Sequence, residues 1–312
     1  MIVESIFQLG SGLGLFILGM KAVKDSFYQI VSGRLEAVFN ILTINLPAGL
    51  ITGLVVTMLI QSSSATTVII ISLVNAGLLS FRQAQGVVMG ANIGTTATVQ
   101  LFSFSLEDSA GLIILVGLIL YSSYYFTGLK YLQYIARGVI GFGILFFGLD
   151  VLGGLVNQWR EADFFLRTVS NLSAIPILGI ISGGLITAII QSSSALTGIV
   201  VVLAKENLLD LLGAVALAVG SNVGTCITAF IAGINSSPAA KKVVWFHFFF
   251  NLAGVIVLGP ILPHFVKLVS LTAEKLARQV ANAHTIFNLV NTGLFIMGLQ
   301  IYCWKQGGTE WD

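Results

Sequence analysis

Charge is scarce in this sequence. Of 312 residues, 15 are Lys or Arg and 13 are Asp or Glu, so 9% are charged while 56% are apolar. A soluble domain carries about 25% charged residues. So few charges cannot cover a water-soluble fold of this length. That excludes a cytosolic enzyme, a nucleic-acid binder and a disordered chain, and leaves an integral membrane protein. The formal charge of +2 implies no polyanion partner. Cysteine is equally scarce. Cys226 and Cys303 lie in apolar stretches and read as buried thiols, not a disulfide framework. Metal patterns are missing too, with no His-Glu-x-x-His and no Cys/His cluster at zinc spacing. No cleavable signal peptide is expected, because the first apolar stretch follows Glu4 and no small-residue cleavage site follows it. Glycine, by contrast, is abundant at 34 residues, as expected where helices pack closely in lipid.

A spanning helix needs about 20 apolar residues. Five stretches qualify outright: 5–23, 110–126, 131–156, 243–262 and 284–304. Two more, 83–104 and 209–232, are apolar but interrupted by small polar residues. The segments 47–79 and 176–204 are apolar at both ends and polar in the middle. Segments 25–42, 159–172 and 264–282 are amphipathic, hold many of the charges, and read as interfacial.

The strongest feature is an internal repeat. Residues 51–104, shifted by 130, fall on 181–234 without a gap and with 20 identities in 54 positions. Gln61-Ser62-Ser63-Ser64-Ala65 matches Gln191-Ser192-Ser193-Ser194-Ala195. Gly90, Asn92, Gly94, Thr95 and Thr98 match Gly220, Asn222, Gly224, Thr225 and Thr228. Pro47 and Pro176 open the two units. Gly12, Gly14 and Gly19 correspond to Gly141, Gly143 and Gly148. The chain 1–312 is therefore expected to be a single membrane domain made of two halves. Repeat 1 covers about 5–126, repeat 2 about 131–262, and helix 284–304 follows.

A polar break some 14 residues after a proline cannot end a full span. Two short helices meeting there make a re-entrant hairpin that leaves on the side it entered. Three crossings separate the two breaks, so the second hairpin enters from the opposite face. The expected fold is an all-α polytopic membrane protein with inverted-topology repeats, seven transmembrane helices and two re-entrant hairpins. Nine basic residues (Lys21, Lys24, Arg34, Arg82, Lys130, Arg137, Lys241, Lys242, Lys305) then share one face and six the other. The first face is favoured as cytoplasmic, which places the C-terminus inside a multi-pass cell-membrane protein. Trp159, Trp245, Trp304 and Trp311 fall near span ends and read as interfacial anchors.

Broken helices in lipid are tolerated only when buried in protein or lining a cavity. Two symmetric breaks imply a shared cavity. Half-helices that start at a break point open N–H groups and a positive dipole end into it, which holds an oxyanion without Arg or Lys. The candidate anion donors are Gln61, Ser62, Ser63, Ser64, Gln191, Ser192, Ser193 and Ser194, joined by Asn92 and Asn222. The candidate ligands for a hard monovalent cation such as Na⁺ are Ser221, Thr225 and Thr228 with Gln191 and Ser192; Thr95 and Thr98 are their mates. The competing reading is that such hydroxyls only bond back to the i−4 carbonyl or join helices.

Paired Gln-Ser-Ser-Ser segments, each followed by Asn-x-Gly-Thr some 30 residues on, resemble the type II sodium/phosphate cotransporter family. The resemblance covers nearly the whole chain. It implies Na⁺-driven phosphate transport by alternating access, with phosphate and Na⁺ bound between the two hairpins and no other cofactor. Phosphate would take Gln61–Ser64 and Gln191–Ser194, and Na⁺ would take Gln191, Ser192, Ser221, Thr225 and Thr228. The family often carries a His-bearing helix after Asn-x-Gly-Thr in each half. Here His247-Phe248-Phe249-Phe250-Asn251 stands in the second half only, while 110–126 has neither His nor acid. The resemblance leads us to expect the family's short bacterial form, without a PhoU-like domain after Asp312. The expected partners are phosphate, Na⁺ and the lipid bilayer, with a homodimer left open.

His247/Asn251 and His284/Asn288 repeat a His-x-x-Phe-Asn pattern that reads first as helix packing and second as support for the cavity. Asp150, late in an apolar helix, is either an ion ligand or a membrane-edge residue. A carrier for another oxyanion, or an anion channel, is the alternative function. An intramembrane serine hydrolase is remote: Gly-x-Ser-x-Gly is missing, and the Ser cluster is duplicated where a nucleophile should be single.

Overall fold

The computed structural model describes residues 2–31, 45–104 and 106–305. Among them there is no strand. The helices are α1 (Ile2–Val31), α2 (Leu46–Ile60), α3 (Ser63–Asn75), α4 (Phe81–Phe102), α5 (Ala110–Thr127), α6 (Lys130–Gln158), α7 (Asp163–Ala174), α8 (Pro176–Ile190), α9 (Ser193–Lys205), α10 (Leu211–Gly224), α11 (Cys226–Gly233), α12 (Pro238–Leu258), α13 (Leu262–Val269) and α14 (Leu276–Lys305). Residues 32–42 of an expected interfacial segment, the Cys303 thiol and the indoles of Trp304 and Trp311 lie outside what is described.

Among the described residues, five stretches are long and apolar enough to cross a bilayer: Glu4–Ile30, Glu107–Thr127, Lys130–Gln158, Leu211–Gly233 and Pro238–Val269. The expected spans in α4 and α14 are also helical, at 22 and 30 residues. Their composition is more polar, because both meet protein along much of their length. Helices α2, α3, α8 and α9 have only 13 to 15 residues. At 1.5 Å per residue they reach about 20 Å, short of the roughly 30 Å hydrocarbon core. Large apolar side chains such as Phe7, Leu112, Ile119, Phe126 and Ile189 are exposed, as suits a lipid-facing surface. The protein is an all-α polytopic membrane protein.

The repeat register is written into the backbone. Gln61 and Gln191 end α2 and α8 in the left-handed region, at φ 55° and 59°. Gly77 and Asn207, again 130 apart, have φ 73° and 54°. Ser80 and Asp210 cap α4 and α10, accepting from the amides of Gln83 and Gly213. Within each half the helix before the Gln-Ser-Ser-Ser break lies directly on the long helix further on, α2 on α4 and α8 on α10. Glycines permit that approach. A Cβ on Gly90 would sit on the Leu50 carbonyl oxygen, and one on Gly220 on the Ile180 carbonyl oxygen. These are equivalent positions.

Two apolar cores cross the boundary between the halves. One joins α2, α3 and α4 to α11 and α12, through Ile70, Val87, Val243 and Phe250. The other joins α1 and α6 to α9 and α10, through Phe16, Phe146, Val200 and Val215. The helix after each break, α3 or α9, thus packs on the opposite half. Burial of the amphipathic segments differs from expectation. The segment α7 has no buried residue and meets α8 at 111°, which fits an interfacial helix. Of 264–282, however, the part from Leu276 on belongs to α14. There Arg278 donates to the Ser103 hydroxyl at 2.9 Å, and Gln279 donates to the Ala273 carbonyl at 2.7 Å. Arg278 and Gln279 are thus bonded to protein, while His264, Lys267, Glu274 and Lys275 are exposed.

Candidate functional site

The two Gln-Ser-Ser-Ser segments form helix–break–helix junctions of the same design. Gln61 and Gln191 close the first arm, with their N–H groups bonded to Thr57 and Thr187 carbonyls. A non-glycine residue in the left-handed region costs about 1–2 kcal/mol, and glycine would remove that cost. Glutamine at both places indicates that the side chain is used. Ser62 and Ser192 are extended and cap the second arm, each accepting from the amide three residues on, Ala65 or Ala195, at 3.2 Å. The next two residues, Ser63-Ser64 and Ser193-Ser194, form the first turn, whose N–H groups have no acceptor within the helix. Ser63, Ser193 and Ser194 are buried and Ser64 is half-buried. The junction therefore presents amide N–H groups and hydroxyls around a positive helix end.

In the first half the distant parts of the motif meet. The Thr98 hydroxyl donates to Gln61 Oε1 at 2.7 Å, and the Gln61 amide donates to the Met58 carbonyl. The Thr95 hydroxyl donates to the Ala91 carbonyl at 3.0 Å, and Asn92 Nδ2 to the Val88 carbonyl at 2.9 Å. In the second half Gln191 is exposed. Thr228 bonds back to the Thr225 carbonyl at 2.9 Å, Thr225 to Ser221 at 2.9 Å, and Ser221 to Ala218 at 2.6 Å. In 209–232 the hydrogen-bond ladder shifts at Thr225, between α10 and α11, while the backbone stays helical there (φ −61°, ψ −24°) and Leu211–Gly233 remains one spanning stretch; α4 has no such shift. Back-bonding commits each hydroxyl proton to a carbonyl and leaves the oxygen lone pairs free, which is the donor set a hard cation takes.

Several residues that sequence reasoning passed over are part of this architecture. Gln100 Nε2 donates to Asn282 at 3.1 Å and Thr285 at 2.9 Å, tying α4 to α14. Arg278 lies over the Phe104 ring at 4.5 Å. The Thr57 hydroxyl donates to Thr66 at 2.9 Å across the first hairpin. Thr57 was legible as one of the repeat identities, matching Thr187; the contacts of α14 had no signal within the repeat. Asp150 is exposed and lines a cavity of about 420 Å³ with Gln8, Glu107, Asn157, Lys205 and Glu206. That places it at the edge of the helix bundle. Among the described residues no group of His, Cys, Asp and Glu could hold a metal ion.

A family described as Na⁺/Pi-cotransporter matches residues 15–154 and again 161–299, one match in each half. YqeW of Bacillus subtilis (strain 168), named as an uncharacterized protein, is 30% identical over 286 residues, covering 90% of each chain. The putative inorganic phosphate export protein YjbB of Escherichia coli (strain K12) is 26% identical over 292 residues, covering 92% of this chain and 52% of its own. The chain thus spans about half the length of that relative. Human sodium-dependent phosphate transport protein 2B is 31% identical over 156 residues, covering 46% of this chain and 22% of its own. No solved structure matches significantly. Two half-chain matches to one transporter family, on a duplicated membrane fold with paired polar breaks, establish that the chain belongs to the Na⁺/Pi-cotransporter family, a family of transporters and not of enzymes.

Proposed function

We propose that the chain is a Na⁺-coupled symporter of inorganic phosphate that works by alternating access between two inverted repeats. Phosphate and Na⁺ bind between the Gln-Ser-Ser-Ser junctions. The observation that carries this reading is the matched pair of Ser-capped helix N-termini at Ser63 and Ser193. Each offers amide and hydroxyl donors at a positive helix end, which suits an oxyanion. No Arg or Lys belongs to the set, so the anion is held without a fixed counter-charge and can leave. The hydroxyl oxygens of Ser221, Thr225 and Thr228, with Gln191 and Ser192, supply Na⁺; Thr95 and Thr98 are their first-half equivalents. Na⁺ bound first lowers the cost of burying phosphate, because the cation offsets its charge. A coupled carrier is reversible, so its direction follows the gradients. The E. coli relative bears the name of an export protein.

Radiolabelled phosphate uptake into proteoliposomes, with and without an inward Na⁺ gradient, tests this. Uptake should follow the gradient and disappear in Ser63→Ala and Ser193→Ala proteins that remain folded. Flux indifferent to Na⁺ would favour an oxyanion channel. Normal transport by both variants would move the site elsewhere. Competition by arsenate or sulfate reads out the oxyanion range.

A further inference from the structure

Two His-x-x-Phe-Asn turns, His247–Asn251 on α12 and His284–Asn288 on α14, lie outside the motifs just described. They are built alike. In each, the Asn side-chain amide donates to the His carbonyl, at 2.9 Å and 2.8 Å. All four polar side chains are 0–1% exposed. Both turns flank the ladder shift at Thr225. Asn251 Nδ2 lies 3.5 Å from Cys226 Sγ, one residue past that shift. His284 Nε2 lies 3.2 Å from Asn222 Oδ1, three residues before it.

The contact with Asn222 has a chemical consequence. A carboxamide offers an oxygen acceptor and two N–H donors. With His284 Nε2 on the oxygen side, a proton on Nε2 donates to Asn222 Oδ1, and this fixes the carboxamide so that its two N–H groups point away from the ring. Asn222 Nδ2 is buried and has no protein partner. A buried donor with no acceptor is costly to keep unless something else supplies one. An anion oxygen is such an acceptor; a cation is not. The first-half mate, Asn92, instead commits its Nδ2 to the Val88 carbonyl.

We propose that His284 is a positioning residue: it holds Asn222 so that the amide N–H groups, not the carbonyl oxygen, serve the transported oxyanion. This rests on the phosphate reading above. It assigns the free amide N–H groups of Asn222, held by His284, to the anion.

The test is transport kinetics in proteoliposomes with phosphate as the probe, on wild type, His284→Leu, His284→Gln, Asn222→Ala and the Asn222→Ala/His284→Leu double variant. Removing one oriented hydrogen bond should raise the phosphate KM about tenfold in His284→Leu and leave the Na⁺ half-saturation within about twofold. His284→Gln, which keeps an N–H within reach, should recover most of the loss. The double variant should match Asn222→Ala alone. An unchanged phosphate KM in His284→Leu, equal shifts in phosphate and Na⁺ dependence, or additive effects would overturn the proposal. Should His284→Leu not fold, ¹⁵N spectra of wild-type His284 carry the test: a proton on Nε2 supports it, a proton on Nδ1 alone overturns it. A wild type that moves no phosphate would overturn the phosphate reading and this inference together. Wild-type transport with an unaffected His284→Leu overturns this inference alone.

Discussion

The first and second halves share a backbone and use it differently. The left-handed glutamines, the Ser caps and the glycine-mediated helix contacts recur at a spacing of 130 residues. The side-chain bonds do not. Gln61 is buried and tied to Thr98, while Gln191 is exposed. Thr57 and Thr66 share a hydrogen bond, while their mates are Leu196 and a Thr187 whose buried hydroxyl has no partner. Helix α4 keeps one hydrogen-bond ladder, while that of its mate shifts at Thr225 within a continuous span. Contacts between the halves differ as well. Lys205 pairs with buried Glu107 at 2.9 Å; the residues 130 positions away, Asn75 and Ser237, make a neutral bond of 2.7 Å from the Ser237 N–H. Symmetry serves the scaffold, and the asymmetric side chains divide the work. The first junction is closed by its own bonds, and the second is left with open groups.

The largest effects should fall on the shared scaffold. Gly90→Leu and Gly220→Leu each drive a side chain into a carbonyl of the neighbouring arm. Both should cost more than about 3 kcal/mol and yield no monodisperse protein in detergent on size-exclusion chromatography. A folded, transporting Gly220→Leu protein would break the equivalence of the halves. Next comes Lys205→Met, which leaves the Glu107 carboxylate buried without its cation. Lys205 is 35% exposed and Glu107 5%, so solvent screening reduces the cost of an unpaired buried charge to about 2 kcal/mol. Thermal unfolding should show the loss, and Glu107→Gln added to Lys205→Met should recover most of it. Additive losses would mean that the pair is not coupled.

Composition alone placed the chain in a membrane, and the Gln-Ser-Ser-Ser duplication located both junctions, because Ser at an N-cap has a local physical signature. The left-handed glutamines were not legible, since glycine is the usual residue for that conformation. The shift of the helix ladder at Thr225 was not legible either. Residues 211–233 carry no proline, and what lies against the shift, Asn251 and His284, comes from α12 and α14, far along the chain. The start of α14 was missed for a related reason. Arg278 and Gln279 look interfacial by composition, but their partners are Ser103 and the carbonyls of a nearby turn. The local pattern shows polarity and is blind to who satisfies it.

Gln61→Ala against Gln191→Ala sharpens the comparison at the junctions. The first removes the acceptor of the Thr98 hydroxyl inside the protein and should cost about 1–2 kcal/mol in thermal unfolding. The second removes an exposed side chain and should change stability by less than about 0.5 kcal/mol while weakening Na⁺-dependent uptake. Equal stability losses would mean that Gln191 is held as Gln61 is.

The smallest expected effect is at Asn75→Ala, the neutral counterpart of the ion pair. Its bond to the Ser237 N–H is exposed, so water replaces it, and the loss should stay below about 1 kcal/mol. Asn75 and Lys205 stand at equivalent places after the two junctions, and the proposed inverted arrangement puts their two contacts at opposite membrane faces. The variants should then act independently, with Asn75→Ala and Lys205→Met additive in thermal unfolding. They should differ in what they expose. Single cysteines beside Gln8 should gain reactivity toward a membrane-impermeant thiol reagent in Lys205→Met, and cysteines beside Ser237 in Asn75→Ala, the second more weakly. Reactivity rising at one face in both variants would place the two contacts on the same side and would contradict the inverted arrangement.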